Sequence, residues 1–113
     1  MEVCRIAQNP ETALQNEIMT ALCKHGCMVF RRNTGLYYTK DGRPVQIGKQ
    51  GQADLSGHRC ADGKAWYIEV KMPGEEPRPD QRKFLDAMRR TGAIAGVAHS
   101  VDEAINIIKH KDV

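Results

Sequence analysis

The stretch AWYIEVKMPGEEPRPDQ, residues 65–81, decides how the rest of the chain is read. Its first eight residues alternate with period two. That places Trp66, Ile68, Val70 and Met72 on one face of a strand and Tyr67, Glu69 and Lys71 on the other. An acid and an amine therefore neighbour each other on one surface, about 6.5–7 Å apart at Cα. A solvated pair of that kind contributes on the order of 0–1 kcal/mol and needs no special explanation. The run that follows, PGEEPRP, is too rich in proline for regular structure and forms a stiff connector.

Moving upstream adds a second acid. QADLSGH, residues 52–58, alternates Ala53 and Leu55 against Asp54 and Ser56 and predicts a short strand, with Asp62-Gly63 as the turn into the next. Two adjacent strands can bring Asp54 beside Glu69. Close carboxylates repel unless a proton or a cation sits between them. Hard oxygen ligands with retained waters describe a Mg²⁺ or Mn²⁺ site. Lys71 beside such a site can orient a water or neutralise charge on a phosphoryl oxygen. The three residue types together match metal-assisted phosphodiester hydrolysis; ordinary ion pairing is the competing explanation.

Outside this pair of strands the pattern is helical at both ends. ETALQNEIMTALCKH, residues 11–25, carries Leu14, Ile18, Ala21 and Leu22 at helical spacing between Pro10 and Gly26, a start and a stop. CMVFRRNT, residues 27–34, reads as a strand with a polar end. Residues 35–51 contain four glycines and a Lys-Asp-Gly-Arg turn signal at 40–43, which predicts a hairpin or a mobile loop. PDQRKFLDAMRRTG, residues 79–92, is a helix with Phe84, Leu85 and Met88 inward. AIAGVAHS, residues 93–100, is a buried strand. A last helix opens with Ser100 and Glu103 as a capping box and turns Ala104, Ile107 and Ile108 to the core. The order predicts a mixed α/β layer fold, one sheet with helices against it.

Bulk properties bound the function. The chain has 113 residues, a formal net charge of +3 and a sequence pI near 8.7. That length suits one domain, here residues 1–113, with a single core. No apolar run is long enough for a membrane span, and the N-terminus lacks a signal-peptide pattern, so a cytoplasmic location is expected. The four cysteines, Cys4, Cys23, Cys27 and Cys60, form no C-x-x-C pair and read as reduced thiols. The mild positive charge permits a nucleic-acid partner without requiring one. Arg31, Arg32, Lys40, Arg43 and Lys49 fall in one central stretch with a single acid, Asp41. They are the candidate phosphate contacts, against the alternative of a solvated loop.

A family resemblance joins these pieces. G-x-x-D-L at Gly51–Leu55 followed by I-E-V-K at Ile68–Lys71 resembles the PD-(D/E)XK nuclease signature. E-x-x-L-Q-x-x-I from Glu11 to Ile18, R-R-N-T-G at 31–35, P-x-P-D-Q-R-K-F-L from Pro77 to Leu85 and G-A-I-A-G-V-A-H-S at 92–100 are similar to the VRR-NUC (virus-type replication-repair nuclease) domain family, in its stand-alone, phage-encoded form. The resemblance covers nearly the whole chain. It implies a restriction-endonuclease-like core, a mixed central sheet flanked by helices, that cleaves DNA with Mg²⁺ or Mn²⁺. It further implies a homodimer acting on branched DNA such as Holliday (four-way) junctions. A flap- or sequence-directed nuclease, or a DNA-binding module with little activity of its own, are the alternatives.

Carried over by position, the resemblance makes Asp54 and Glu69 metal ligands through their carboxylates and Val70 a ligand through its backbone carbonyl. Lys71 becomes the catalytic lysine. Gln81 matches the glutamine near the scissile phosphate, with a solvated polar residue as the alternative. Glu11 matches the helical glutamate; Glu17 is its rival, and Glu11 is favoured because it shares a face with Leu14, Gln15 and Ile18. Ala53 stands where the superfamily's name places a proline. The histidines are scattered, and His58, about 13 Å along the strand from Asp54, suits a surface or loop role. Trp66 reads as core. Tyr37 and Tyr38 either contact DNA or serve the packing of their own loop.

Overall fold

The chain is described by a computed structural model over residues 9–32, 35–47 and 51–109. Helix α1 (Pro10–Lys24) is followed by strand β1 (Cys27–Arg31), a hairpin of β2 (Gly35–Tyr38) and β3 (Pro44–Ile47), then β4 (Leu55–Arg59), β5 (Ala65–Val70), helix α2 (Pro79–Arg90), β6 (Ile94–Ala98) and helix α3 (Val101–Ile108). Four strands form the main sheet in the order β1-β4-β5-β6. β1 and β5 each run antiparallel to β4, and β6 runs parallel to β5, so the sheet is mixed. The parallel step needs a crossover, and α2 supplies it.

The helices begin and end where local chemistry dictates. Asn9 caps α1, its Oδ1 accepting from Glu11 N at 2.8 Å, with Pro10 in the first turn. Gly26 leaves α1 at φ 81°, a conformation open to glycine, and turns the chain into β1. Ser100 Oγ accepts from Glu103 N at 3.1 Å, half of the expected capping box. The other half goes elsewhere: the Glu103 carboxylate accepts from His99 N at 2.6 Å and meets His99 Nδ1 at 3.0 Å. His99 sits one residue further out and offers two polar groups where Ser100 N would offer one.

One face of the sheet carries the core. Leu55, Trp66, Ile68, Val70, Ile94 and Ala98 are buried there against Ile18 and Leu22 of α1 and Ala104 and Ile108 of α3. The alternation expected for residues 65–70 holds, with Trp66, Ile68 and Val70 inward. α2 covers the other face of β5, where the rings of Tyr67 and Phe84 meet edge to face with centroids 5.6 Å apart. The sheet is therefore sandwiched only along its β5–β6 half. Met28 and Phe30, on the edge strand β1, stay exposed.

One segment takes the first of its two expected forms and another departs from its expected bounds. Residues 35–47 are a hairpin, closed by Thr39 N donating to Arg43 O at 2.9 Å, and they pair apart from the main sheet. The strand expected over 52–58 begins only at Leu55 and runs on to Arg59. Asp54 lies in the bend before it, for a reason that belongs to the site.

Gly57 marks the tightest packing. A Cβ there would lie 1.8 Å from Met28 O and 2.8 Å from Trp66 Cζ2. A backbone oxygen cannot swing aside, so Gly57→Ala is expected to cost about 3 kcal/mol or more. Urea denaturation followed through Trp66 fluorescence measures it, with Ser56→Ala as the neighbour that stays near wild type.

Candidate active site

Three strand ends align to build the site. Extending the register of β1 with β4 by one step sets Arg32 opposite Asp54; extending that of β4 with β5 sets Asp54 opposite Glu69. The row is Arg32, Asp54, Glu69. At this level the backbone ladder between β4 and β5 gives way to side chains. Asp54 N donates to Glu69 Oε1 at 3.2 Å, and Val70 N donates to Asp54 Oδ2 at 2.9 Å. Each acid thus occupies a backbone donor of the other's strand, which is why the regular strand starts at Leu55.

Both acids are buried, Glu69 to 1% exposure. Burial pushes the Glu69 carboxyl up to about 8; the Asp54 charge and a hydrogen bond shared with Asp54 push the same way, against Lys71 and Arg32. Lys71 Nζ stands 3.8 Å from Glu69 Oε2, its side chain mostly buried. Lys71 N continues the sheet by donating to Ala98 O at 3.1 Å, so the residue is held at its backbone just past the strand.

Gln81 is buried in α2, not solvated. Its Nε2 donates to Glu69 Oε2 at 2.8 Å, and its Oε1 accepts from Arg78 N at 2.8 Å. Both ends of the amide are therefore assigned by partners, and the side chain ties the start of α2 to the acid. Glu69 has each oxygen fixed by a separate donor.

Arg32, a candidate phosphate contact from the sequence, reaches into the acid row. Its N donates to Asp54 O at 2.8 Å, its Nη1 to Gln52 O at 2.7 Å, and its Nη2 lies 3.7 Å from Asp54 Oδ1. The register of β1 against β4 was the missing information. Arg31 points the other way, its Nη2 donating to Asn16 Oδ1 on α1. Arg43 pairs with Asp41 at the hairpin tip beside Lys40, and Lys49 lies outside the described residues.

Glu11 and Glu17 separate clearly in position. Glu11 is half-buried, and burial raises its carboxyl, reinforced by the Asp54 charge and opposed by Lys71. It shares the field of the acid row. Glu17 is exposed two turns further along α1 and lines a shallow depression with Asn16, Thr20 and Lys24. The connector between Lys71 and Gln81 is anchored too: Pro77 is buried, His99 Nε2 meets Glu75 O at 2.9 Å, and Arg82 pairs with Glu76 at 3.2 Å.

Gly51 was read only as part of a motif. It sits at φ 85°, and a Cβ there would lie 2.9 Å from Asp80 O. The chain returning from the hairpin packs directly on the first turn of α2, which holds Gln81 over Glu69.

Among the described residues, three acidic, histidine or cysteine side chains do not gather into a closed metal cage. Asp54 and Glu69 are two carboxylates, and the N–H and C=O of one strand residue point the same way, so the Val70 carbonyl faces the Asp54 side. A buried acid pair that retains a proton into the neutral range is a place where a cation can replace that proton. Two carboxylates and a backbone carbonyl are hard oxygen donors, a set whose chemistry suits Mg²⁺ or Mn²⁺ rather than a soft metal. Cys23, Cys27 and Cys60 are free thiols away from this row.

The fold is that of a nuclease class of domain. The chain is a member of the VRR-NUC domain family, whose model matches residues 4–102. Two solved structures are similar. A "VRR_NUC domain" shares 24% identity at a TM-score of 0.63, over 88% of this chain and 95% of that one. A "VRR_NUC domain protein" shares 20% identity at a TM-score of 0.56, over 92% and 88%. No curated protein sequence matches the chain. Among the described residues, no helix is long and apolar enough to cross a membrane.

The Glu69 environment fixes a pH dependence for the metal-free protein. An acid whose pKa is raised on folding binds its proton more tightly in the folded state. Its contribution to stability is complete below the unfolded carboxylate pKa and is lost as pH rises through about 8. In EDTA, the urea midpoint is expected to fall between pH 5 and pH 8.5. Glu69→Gln flattens that slope and is the more stable protein at the upper end.

Proposed function

We propose that the chain is a Mg²⁺- or Mn²⁺-dependent endonuclease that hydrolyses phosphodiester bonds in branched DNA, with four-way junctions as its substrate and a homodimer as its working form. The observation that carries the reading is the Asp54–Glu69 pair, each acid held on the other's strand, with the Lys71 ammonium 3.8 Å from Glu69. Family membership supports nuclease chemistry at that pair.

Asp54, Glu69 and the Val70 carbonyl would hold the cation. When bound, it supplies Lewis acidity toward the phosphate and lowers the pKa of a coordinated water. The chain's own residues do the rest. Gln81 and the Asp54 backbone hold Glu69 in one orientation, so the acid does not reorganise during reaction. Lys71 places a positive charge where the phosphoryl oxygens gain negative charge and can hold the attacking water by a hydrogen bond. Glu11 adds negative charge at the margin of the site, which favours the cation and can orient a water. Arg32 balances Asp54 before the cation arrives.

Two copies are needed to cut two strands at a junction. The exposed Met28 and Phe30 on the edge strand β1 are an apolar surface available for pairing. A phage-type domain acting in the cytoplasm of a bacterial host is the setting this reading suits.

The test is cleavage of a four-way junction, a flap, a nicked duplex and an intact duplex by pure protein with Mg²⁺ or Mn²⁺. Lys71→Ala is expected to lower the rate about 10²–10³-fold, comparable to losing one preorganised donor, while calorimetry still detects Mn²⁺ binding. Asp54→Asn is expected to lose the Mn²⁺ heat. Preference for the flap, or for one sequence, redirects the substrate assignment; no cutting of any substrate, with Lys71→Ala indistinguishable from wild type, ends the enzyme reading. Sedimentation at micromolar concentration reads the homodimer.

A further inference from the structure

We infer that the β2–β3 hairpin is an arm that stacks its tyrosines on the base faces exposed at a DNA branch point; the inference rests on the nuclease reading and specifies how the substrate is recognised. The arm forms its own two-stranded sheet outside the four-stranded one, from Gly35 opposite Ile47 to Tyr38 opposite Pro44. Alternation sets Tyr37 with Val45 on one face of the ribbon and Tyr38 with Pro44 on the other. Tyr37 is 49% and Tyr38 67% exposed. Among the described residues, packing within the loop does not account for them, since both rings lie largely outside any buried cluster.

The tip adds the charge that a nucleic acid requires. Its one acid, Asp41, is taken up internally by Arg43 Nε at 2.9 Å and by the Thr39 hydroxyl. Lys40 beside it makes no ion pair among the described residues. The tip thus carries one net positive charge, with its carboxylate held by Arg43 and Thr39.

The root places the arm at the chemistry. Arg32 precedes the arm and Gln52 follows it, and the Arg32 side chain joins the two while touching Asp54. Chain length bounds the reach: the residues from Arg32 to Tyr38 span at most roughly 20 Å, about six nucleotides along one DNA strand.

The combination favours base faces over the other occupants. A contact confined to phosphates uses cations and has no need of two outward rings. Aromatic rings beside cations, at the margin of a phosphodiesterase site, match the stacking platforms of proteins that bind open nucleic acid. A continuous duplex hides its base faces; a branch exposes them.

Binding measured by fluorescence anisotropy in EDTA separates this from cleavage. The probes are a forked duplex with single-stranded arms, a four-way junction and an intact duplex of equal length. Tyr37→Ala and Tyr38→Ala are each expected to weaken fork and junction binding about 5- to 30-fold and duplex binding less than twofold. Tyr37→Phe and Tyr38→Phe keep the ring and retain wild-type binding. Lys40→Ala weakens all three probes equally and lowers the salt dependence. A 2-aminopurine at the branch is quenched by wild type and not by the double alanine variant. Equal losses on every probe overturn stacking in favour of a groove or phosphate contact. No loss on any probe overturns the arm as a contact. A changed sedimentation mass with unchanged DNA binding assigns the ribbon to a second copy and overturns it equally. Wild type that binds the fork through its tyrosines but cuts nothing leaves the arm standing and removes the hydrolysis; wild type that binds none of the probes removes both.

Discussion

Asp54 and Glu69 replace a rung of the sheet with their own side chains, and the site depends on that exchange. Where β4 and β5 would continue their ladder, the Asp54 amide meets a Glu69 oxygen and the Val70 amide meets an Asp54 oxygen. Backbone donors buried in a core must find partners. Here the partners are carboxylates, so two acids are drawn into a protein interior that would otherwise exclude them. Their burial stores the electrostatic tension that a proton relieves and a divalent cation would relieve further.

The surroundings keep the pair from relaxing. Arg32 faces Asp54 from β1, Lys71 faces Glu69 from the end of β5, and Gln81 locks the remaining Glu69 oxygen from α2. Gln81 is itself placed by the Arg78 amide, and α2 is seated against Gly51. Each support comes from a different element. A small single sheet can therefore hold two acids in one arrangement, because strands and a helix start are stiffer carriers than loops. The exposed parts, the hairpin and the β1 edge, lie around this rigid centre.

Much of the architecture was legible in the chain. The three helices, the alternation at 65–70, the hairpin turn at 40–43 and the pairing of Asp54 with Glu69 all follow from periodicity and turn chemistry. Other features were not. The strand expected at 52–58 starts late because its first ladder bonds are made by side chains, which alternation does not encode. The capping box at Ser100 is only half made because His99 offers Glu103 two polar groups. The basic stretch divides: Arg31 turns to α1, Arg32 to the acids, Lys40 and Arg43 to the hairpin tip. Neighbouring strand residues point to opposite faces, so adjacency in sequence separated Arg31 from Arg32 in space.

By itself, then, the order of residues determined the elements, the family and the identity of the two acids and the lysine, because local periodicity and short motifs are properties of consecutive residues. The register of three strands, and with it Arg32 opposite Asp54, was decided only when the sheet assembled. So were the position of Glu11, already favoured over Glu17 by its helix face, in the field of the acid row, and the burial that makes Gln81 a tether of Glu69. Register and burial are set by contacts between segments far apart in the chain, and no window of sequence contains both partners.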